Sequence, residues 1–381
     1  MLLYIVAGER SGDAHAAGLA RELRALDPQL AFAGLGGPAL AGAVGEAGQI
    51  HDWVEQAGVV GLWEVLKMYP WFRRRFAEIR QEIASLKPDA VVLVDYPGLN
   101  LRLAKALRHD HPQLRQIYYI SPQVWAWKQG RVKTMAQTLD RMICIFPFEA
   151  DLYQSSGLDT IFAGHPLVDR MAEEAAADPA PRVPGLVGLF PGSRTNELRR
   201  LLPIMLSAAS QLESRSLASD FVIPLPSERA ASLAKTIIAT HPSPPSQLRI
   251  EIGAASHWMR TCQVAAVKSG TASLEAACAS LPYTLVYRVS PLTAFAARRV
   301  MRVPFLGMAN LLAGREVVRE LLQEQATPQN VASELARLLA DETYRQDLVD
   351  GLRHATAQLG EGDAYARAAK AVLQSLPATT T

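Results

Sequence analysis

Short, unbroken apolar runs alternate along this chain with longer stretches of helical period, and the rhythm runs through twice. In the first half the runs are Leu2–Ala7, Ala31–Leu35, Ala90–Asp95, Ile117–Ile120, Met142–Phe146 and Thr160–Phe162. A strand with one wet face alternates apolar and polar residues. These runs do not, so they suit strands covered on both faces in a parallel sheet. Helical stretches such as Asp13–Leu26, Phe72–Leu86 and Leu99–Arg108 fall between them. The pattern is that of a doubly wound α/β domain. The second half repeats it, with strands expected at Leu186–Phe190, Phe221–Leu225, Leu248–Ile252, Val264–Val267 and Tyr283–Val286. Its expected helices are Asn196–Ser214, Ala272–Ser280 and Pro291–Arg302.

The break between the halves is Asp178-Pro179-Ala180-Pro181-Arg182-Val183-Pro184-Gly185. The expected division is therefore a first domain over 1–177, a linker over 178–186, a second domain over 187–342, and C-terminal helices over 343–381 that return to the first domain. A length of 381 residues suits two such domains. A net charge of +2 advertises no nucleic-acid partner, and 49% hydrophobic residues exclude a disordered chain. Cys144, Cys262 and Cys278 lie far apart, which suits a reducing compartment and argues against a thiol zinc site. No metal and no cofactor are expected. No charge-free apolar run reaches the ~18 residues of a membrane span, and the N-terminal segment reads as a strand, not a signal peptide. The expected location is cytoplasmic.

Ligands of such sheets bind beyond the carboxyl ends of the strands, so the loops there carry the chemistry. Gly8-Glu9-Arg10-Ser11-Gly12-Asp13 can cradle a sugar or phosphate, or can be a tight turn with Asp13 as a helix cap. Gly34-Leu35-Gly36-Gly37-Pro38-Ala39 formally fits a dinucleotide pattern, but it follows the second strand and reads better as a close-packed turn. Phe190-Pro191-Gly192-Ser193-Arg194-Thr195-Asn196-Glu197 offers close backbone approach at Gly192, a hydroxyl at Ser193 and a guanidinium fork at Arg194, without the lysine spacing of a P-loop. Lys268-Ser269-Gly270-Thr271-Ala272-Ser273-Leu274-Glu275 opens a helix whose free N–H groups suit a diphosphate, with Glu275 one turn on to meet a ribose. The alternative for that pair is a capping box of Thr271 with Glu275. Asp95, at a strand end, can be a general base or a turn cap. His165 can bind substrate or satisfy backbone groups, and His109 and His111 read as solvated.

Taken together, these loops resemble the lipid-A-disaccharide synthase family of glycosyltransferases. The resemblance rests on Ala7–Asp13, Tyr119-Ile120-Ser121-Pro122-Gln123-Val124-Trp125-Ala126-Trp127, Phe146-Pro147-Phe148-Glu149, Gly164-His165, Pro191–Arg194, Ser269–Ala272 and Asn310-Leu311-Leu312-Ala313-Gly314-Arg315-Glu316. It implies a GT-B fold of two Rossmann-like domains facing across a cleft. It also implies inverting transfer from UDP-2,3-diacylglucosamine to the 6-hydroxyl of 2,3-diacylglucosamine 1-phosphate (lipid X), yielding a β-1,6-linked disaccharide and UDP. On this reading Asp95, Ser11 and His165 are catalytic. Gly12, Asp13, Asn100, Ser121, Trp125, Trp127, Gly192, Ser193, Arg194, Lys268, Ser269, Gly270, Thr271, Glu275, Asn310, Arg315 and Glu316 bind substrate. A homodimer that exchanges C-terminal segments is a further implication. Gly98 stands where the family commonly has a second acid, which leaves any base role in that loop to Asp95. Gly307-Met308-Ala309 replaces a common serine-leucine-proline run before Asn310.

The acylated substrates imply peripheral contact with the cytoplasmic leaflet of the inner membrane. Residues 61–76 mix aromatic and basic side chains, and Trp63, Leu66, Trp71, Phe72, Arg73 and Arg74 are the expected docking and acyl-chain residues. Phe295 to Phe305 has the same mixture. The alternative is ordinary core with a solvated basic face. Rival functions are another UDP-sugar transferase or epimerase, a nicotinamide oxidoreductase using Gly34–Ala39, and a non-enzymatic membrane-binding module.

Overall fold

The computed structural model describes residues 1–46, 48–57, 69–127, 130–300 and 303–376. By internal packing the chain divides into two units, Met1–Pro166 with Gly360–Thr381, and Leu167–Leu359. The first holds β1 (Leu2–Ala7), β2 (Ala31–Gly36), β3 (Gln49–Asp52), β4 (Ala90–Val94), β5 (Arg115–Tyr119), β6 (Arg141–Cys144) and β7 (Thr160–Phe162). They form one parallel sheet in the order β3-β2-β1-β4-β5-β6-β7. The second holds β8 (Val183–Phe190), β9 (Asp220–Leu225), β10 (Leu248–Ile252), β11 (Cys262–Lys268), β12 (Tyr283–Tyr287) and β13 (Glu320–Leu322), ordered β10-β9-β8-β11-β12-β13 and again parallel.

Both sheets reverse direction of growth once, between β1 and β4 and between β8 and β11. Register brings Ala7 beside Val94 and Phe190 beside Val267, so the loops that follow these strands emerge in pairs. Such a switch point is where open α/β sheets bind ligands. The central strands are buried on both faces: β4 has no exposed residue, and Val91, Val92 and Leu93 are wholly enclosed.

Two strands escape the apolar pattern. β3 is a mostly exposed, polar edge strand, and β13 is a three-residue edge. The domain limits differ as well. The helix Pro166–Ala177, expected in the first domain, lies almost entirely in the second unit. The expected linker 178–186 belongs to that unit too: Asp178 bonds His257 at 2.5 Å and Arg260 at 3.1 Å, and Val183 already begins β8. Of the expected tail, Glu342–Ala357 stays with the second unit, and only the segment from Gly360 returns. Its helix Ala364–Gln374 docks on Arg10–Leu26, where the Tyr365 hydroxyl meets His15 at 3.0 Å, while Arg367 donates to the Ala163 carbonyl at 2.8 Å.

Gly34 has φ +135°, and a Cβ there would lie 2.0 Å from the Ile5 carbonyl oxygen. The Gly34–Ala39 segment is thus a close-packed turn. The residue that holds it is Asp13. Its carboxylate, 4% exposed, accepts from the N–H groups of Gly37 (2.7 Å), Ala39 (3.0 Å) and Leu40 (3.1 Å), so it caps the neighbouring helix Pro38–Val44. Asp13 is therefore a buried staple, not a substrate ligand or the cap of its own helix.

Candidate active site

In the second unit, the switch point opens into a cavity of about 530 Å³. Phe190, Gly192, Ser193 and Arg194 line it from the β8 loop, and Lys268, Thr271 and Glu275 from β11 and the helix beyond. Two helices, Thr195–Ser214 and Thr271–Cys278, begin here and leave backbone N–H groups at the positive ends of their dipoles. Gly192 must be glycine: its φ is +100°, and a Cβ would sit 2.3 Å from a Glu197 carboxylate oxygen. Gly270 caps the second helix with no side-chain cap bond, so the Thr271–Glu275 capping box does not form. Glu275 instead pairs with Arg170 while still lining the cavity. Ser269 is 7% exposed, whereas Thr271 is open.

The organiser of this loop is a residue the sequence reading passed over. Glu197 accepts from the Ser193 N–H at 3.2 Å and the Arg194 N–H at 3.3 Å, and pairs with Lys268 at 3.0 Å and Arg194 at 3.4 Å. Its signal was available, since a glutamate three residues past a helix cap reaches back to it. Glu197 and Lys268 side chains are 16% and 15% exposed, while that of Arg194 is 70% exposed. The lysine is thus a fixed cation and the arginine a mobile, screened one.

In the first unit, the β1 and β4 loops meet around Asp95. Asp95 and Tyr96 both take positive φ, +47° and +49°. Asn100 holds this turn: wholly buried, it donates from Nδ2 to the carbonyls of Asp95 (2.8 Å), Val94 (3.2 Å) and Val6 (3.4 Å). It staples β1 to β4, and its Oδ1 is buried without a partner among the described residues. The Tyr118 hydroxyl donates to the Asp95 carbonyl at 2.5 Å. Burial, with the nearby Glu9 charge, pushes the Asp95 carboxyl up to about 6. Ser11 is exposed in the first turn of the helix Arg10–Leu26, and Gly12 lies buried behind it. His165 follows β7, three strands from β4, roughly 14 Å along the sheet at ~4.8 Å per strand. It therefore stands apart from Asp95 and Ser11.

Beyond β5 and β6 lies an aromatic group. Trp125 packs edge-on to Phe148 (5.1 Å), Phe148 stacks on Phe146 (5.6 Å), and Phe146 meets His165 (5.0 Å). Glu149, 1% exposed, accepts from Trp125 Nε1 at 3.0 Å and from the Phe146 N–H at 3.2 Å. Burial raises its carboxyl to about 7, against the pull of hydrogen bonds that include Trp125. Ser121 is buried beside this group at 5% exposure. Glu149, also missed as a site residue, fixes the Trp125 ring. Trp127 ends the short helix Val124–Trp127.

Asn310 is wholly buried and fully bonded. Nδ2 donates to the Val318 carbonyl (2.8 Å) and Glu320 (2.9 Å), and Oδ1 accepts from the N–H groups of Val317 and Val318, both 2.8 Å. It ties the 314–318 loop to β13 and leaves nothing for a substrate. Arg315 and Glu316 are exposed, and Glu316 pairs with Arg319 at 3.4 Å. None of the three lines the 530 Å³ cavity. In the expected acyl region, Trp63 and Leu66 lie outside the described residues. Trp71 stacks on buried Trp53 at 6.0 Å and meets Phe72 at 4.9 Å, so these two rings turn toward the core and not outward. Arg73 and Arg74 are exposed, as is Phe295 at 55%, with Arg299 over its ring at 4.0 Å.

Two Rossmann-like domains of this topology make the GT-B fold of glycosyltransferases and their structural kin. The glycosyltransferase of kitacinnamycin superposes with a TM-score of 0.62 at 15% identity, covering 99% of both chains. UDP-GlcNAc 2-epimerase from Neisseria meningitidis, solved bound to UDP-GlcNAc, gives 0.61 at 12% identity over 98% of this chain and 99% of its own. Sequence is more specific. The family model described as Lipid-A-disaccharide synthetase matches residues 3–374. The lipid-A-disaccharide synthase of Geobacter sulfurreducens is 40% identical over 385 residues, 98% of this chain and 97% of that protein. The chain belongs to the lipid-A-disaccharide synthase family and is a glycosyltransferase of lipid A biosynthesis.

Proposed function

We propose that the chain transfers 2,3-diacylglucosamine from its UDP carrier to the 6-hydroxyl of lipid X with inversion. The observation that carries this reading is the second-unit cavity of about 530 Å³, where two helices begin and Lys268 and Arg194 line one space large enough for a nucleotide. UDP occupies that cavity. Its diphosphate lies against the helix that starts at Thr271, and its ribose hydroxyls donate to Glu275. The acceptor oxygen bonds to the anomeric carbon as the bond from that carbon to the diphosphate oxygen breaks, and Asp95 takes the hydroxyl proton. Fixed donors stabilise the charge that grows on UDP, and positioning supplies much of the remaining rate. Ser11 orients the acceptor sugar. Incubation of the purified protein with both acylated sugars in detergent, read by mass spectrometry, tests this. Disaccharide and UDP are the expected products. Release of free UDP without disaccharide, or epimerised donor, would sink it.

The lipid tails require a membrane face. Among the described residues no helix is long and apolar enough to span a bilayer, so contact is peripheral on this reading. Exposed Arg73 and Arg74 support it in the first unit and Phe295 with Arg299 in the second. A basic residue near an anionic surface contributes ~1 kcal/mol. Replacing Arg73 and Arg74 by serine should weaken flotation with anionic vesicles by roughly an order of magnitude or more, and high salt should mimic the loss. Binding equal to that of the unsubstituted protein would remove this face.

A further inference from the structure

The carboxylate assigned to the ribose is already engaged. Glu275 stands in the helix Thr271–Cys278, its side chain 20% exposed, and lines the nucleotide cavity. Arg170, in the second-unit part of the helix Pro166–Ala177, donates from Nη2 to Glu275 Oε1. Arg170 does not line the cavity, so it reaches the carboxylate from outside the ligand space. Its Nε lies 3.7 Å from Glu174, one turn further along its own helix, and the guanidinium is tethered at both ends. Glu275 Oε2, by contrast, has no hydrogen-bond partner among the described residues and is not sealed from solvent.

A glutamate side chain turns about several bonds, and fixing it on a ligand forfeits that freedom. Here the side chain is held before any ligand arrives. A carboxylate has about four lone-pair sites, so an arginine on one oxygen leaves the other able to accept. Arg170 is 51% exposed, and pairs so open to water add little to stability. What the pair does change is where the free carboxylate oxygen stands.

We propose that Arg170 is a positioning residue that fixes Glu275 for the ribose hydroxyls and so sets the preference of this cavity for ribonucleotides over deoxy forms. The inference rests on the assignment of Glu275 to the ribose. The planar fork of a guanidinium holds a carboxylate in one orientation, whereas a lysine supplies a point charge. The arginine also offsets the repulsion between Glu275 and a diphosphate. That part is common to ribose and deoxyribose nucleotides and is screened by salt, so an affinity ratio taken at high salt isolates the orientation.

Calorimetric titration of the full chain with UDP and with 2′,3′-dideoxy-UDP at high salt tests it. Arg170→Met should shrink the ratio of the two affinities about two- to tenfold, the weight of ordering one flexible side chain. Affinity for the dideoxy form and the urea midpoint should stay nearly level. Arg170→Lys should recover part of the ratio. An Arg170→Met protein that keeps the full ratio, or binds both nucleotides equally more weakly, would overturn the proposal. Glu275→Ala separates it from the assignment beneath it. A ratio lost in Glu275→Ala but kept in Arg170→Met removes the role of Arg170 alone. A ratio kept in Glu275→Ala removes the ribose assignment, and this inference with it.

Discussion

Where β8 and β11 part, two helices begin, a lysine is fixed by a half-buried glutamate, and the cavity between them carries Lys268 and Arg194 beside the carboxylates of Glu197 and Glu275. Where β1 and β4 part, the same topology presents a carboxylate instead, on a left-handed turn, with its pKa pushed up to about 6. Chain topology is shared, so it cannot account for the difference. The loops do. Gly192 and Gly270 clear space before helix N-termini, whereas Asn100 ties off the carbonyls around Asp95 and leaves its carboxyl as the polar group to be reckoned with. A repeated fold thus yields one edge where cations and carboxylates pair around two helix N-termini and one that holds a carboxyl raised by burial.

The comparison breaks most sharply at Asp95. Asp95→Asn should lower turnover ~10²–10⁴-fold while UDP affinity, which the proposed function assigns to the other unit, stays level. A base works ionised, so kcat/KM should rise with pH through about 6 and flatten above it. Glu9→Gln removes a neighbouring negative charge and should move that midpoint downward. An Asn variant with near-normal turnover would take the base role away from Asp95. His165 is a poor substitute, three strands away.

The strand-end loops were legible in the sequence because glycine turns between an apolar run and a helical stretch have few other readings. What lay hidden was the direction each polar side chain takes. Asp13, Asn100 and Asn310 sit in the first turns of helices that follow such loops, where ligands could be met, but all three turn inward to backbone groups. Spacing alone does not separate a residue that meets a ligand from one that holds the loop which does. The reverse error hid Glu197 and Glu149, whose capping geometry carries them into the loop. β3 escaped because an exposed edge strand needs no apolar pattern, and β13 because three residues make no run. The domain limits failed for a third reason: a proline-rich stretch looks free until Asp178 and Arg182 are seen bonding to the second unit.

If those three residues are staples, their loss should register as stability and not as affinity. Asp13→Ala strips acceptors from three N–H groups, and Asn310→Ala leaves two donors and two acceptors without it. Each should lower unfolding free energy by about 2–4 kcal/mol in urea titrations, with UDP binding by the folded fraction nearly unchanged. Unaltered stability together with a raised KM would return them to the substrate.

The smallest effects should fall within the second-unit cavity and divide it by mechanism. Arg194 is largely exposed and already shares its charge with Glu197, so its pull on a diphosphate is weak and screened. Arg194→Ala should cost UDP a few-fold in affinity at low salt (on the order of 1 kcal/mol) and almost nothing at high salt. Glu275 would act by accepting from ribose hydroxyls at short range, which salt does not screen. The hydrogen-bond part of the Glu275→Ala loss should therefore be a similar few-fold at any ionic strength. Its removal also frees Arg170, which sits on it in the structure and would gain some attraction for the anion at low salt. The Glu275 variant should then look weakest at high salt, the reverse of the Arg194 trend. Calorimetry of both variants at two salt concentrations decides the matter. Parallel salt dependence would show that the two groups meet the same part of the nucleotide, and the division of this cavity into a charged and a neutral half would fail.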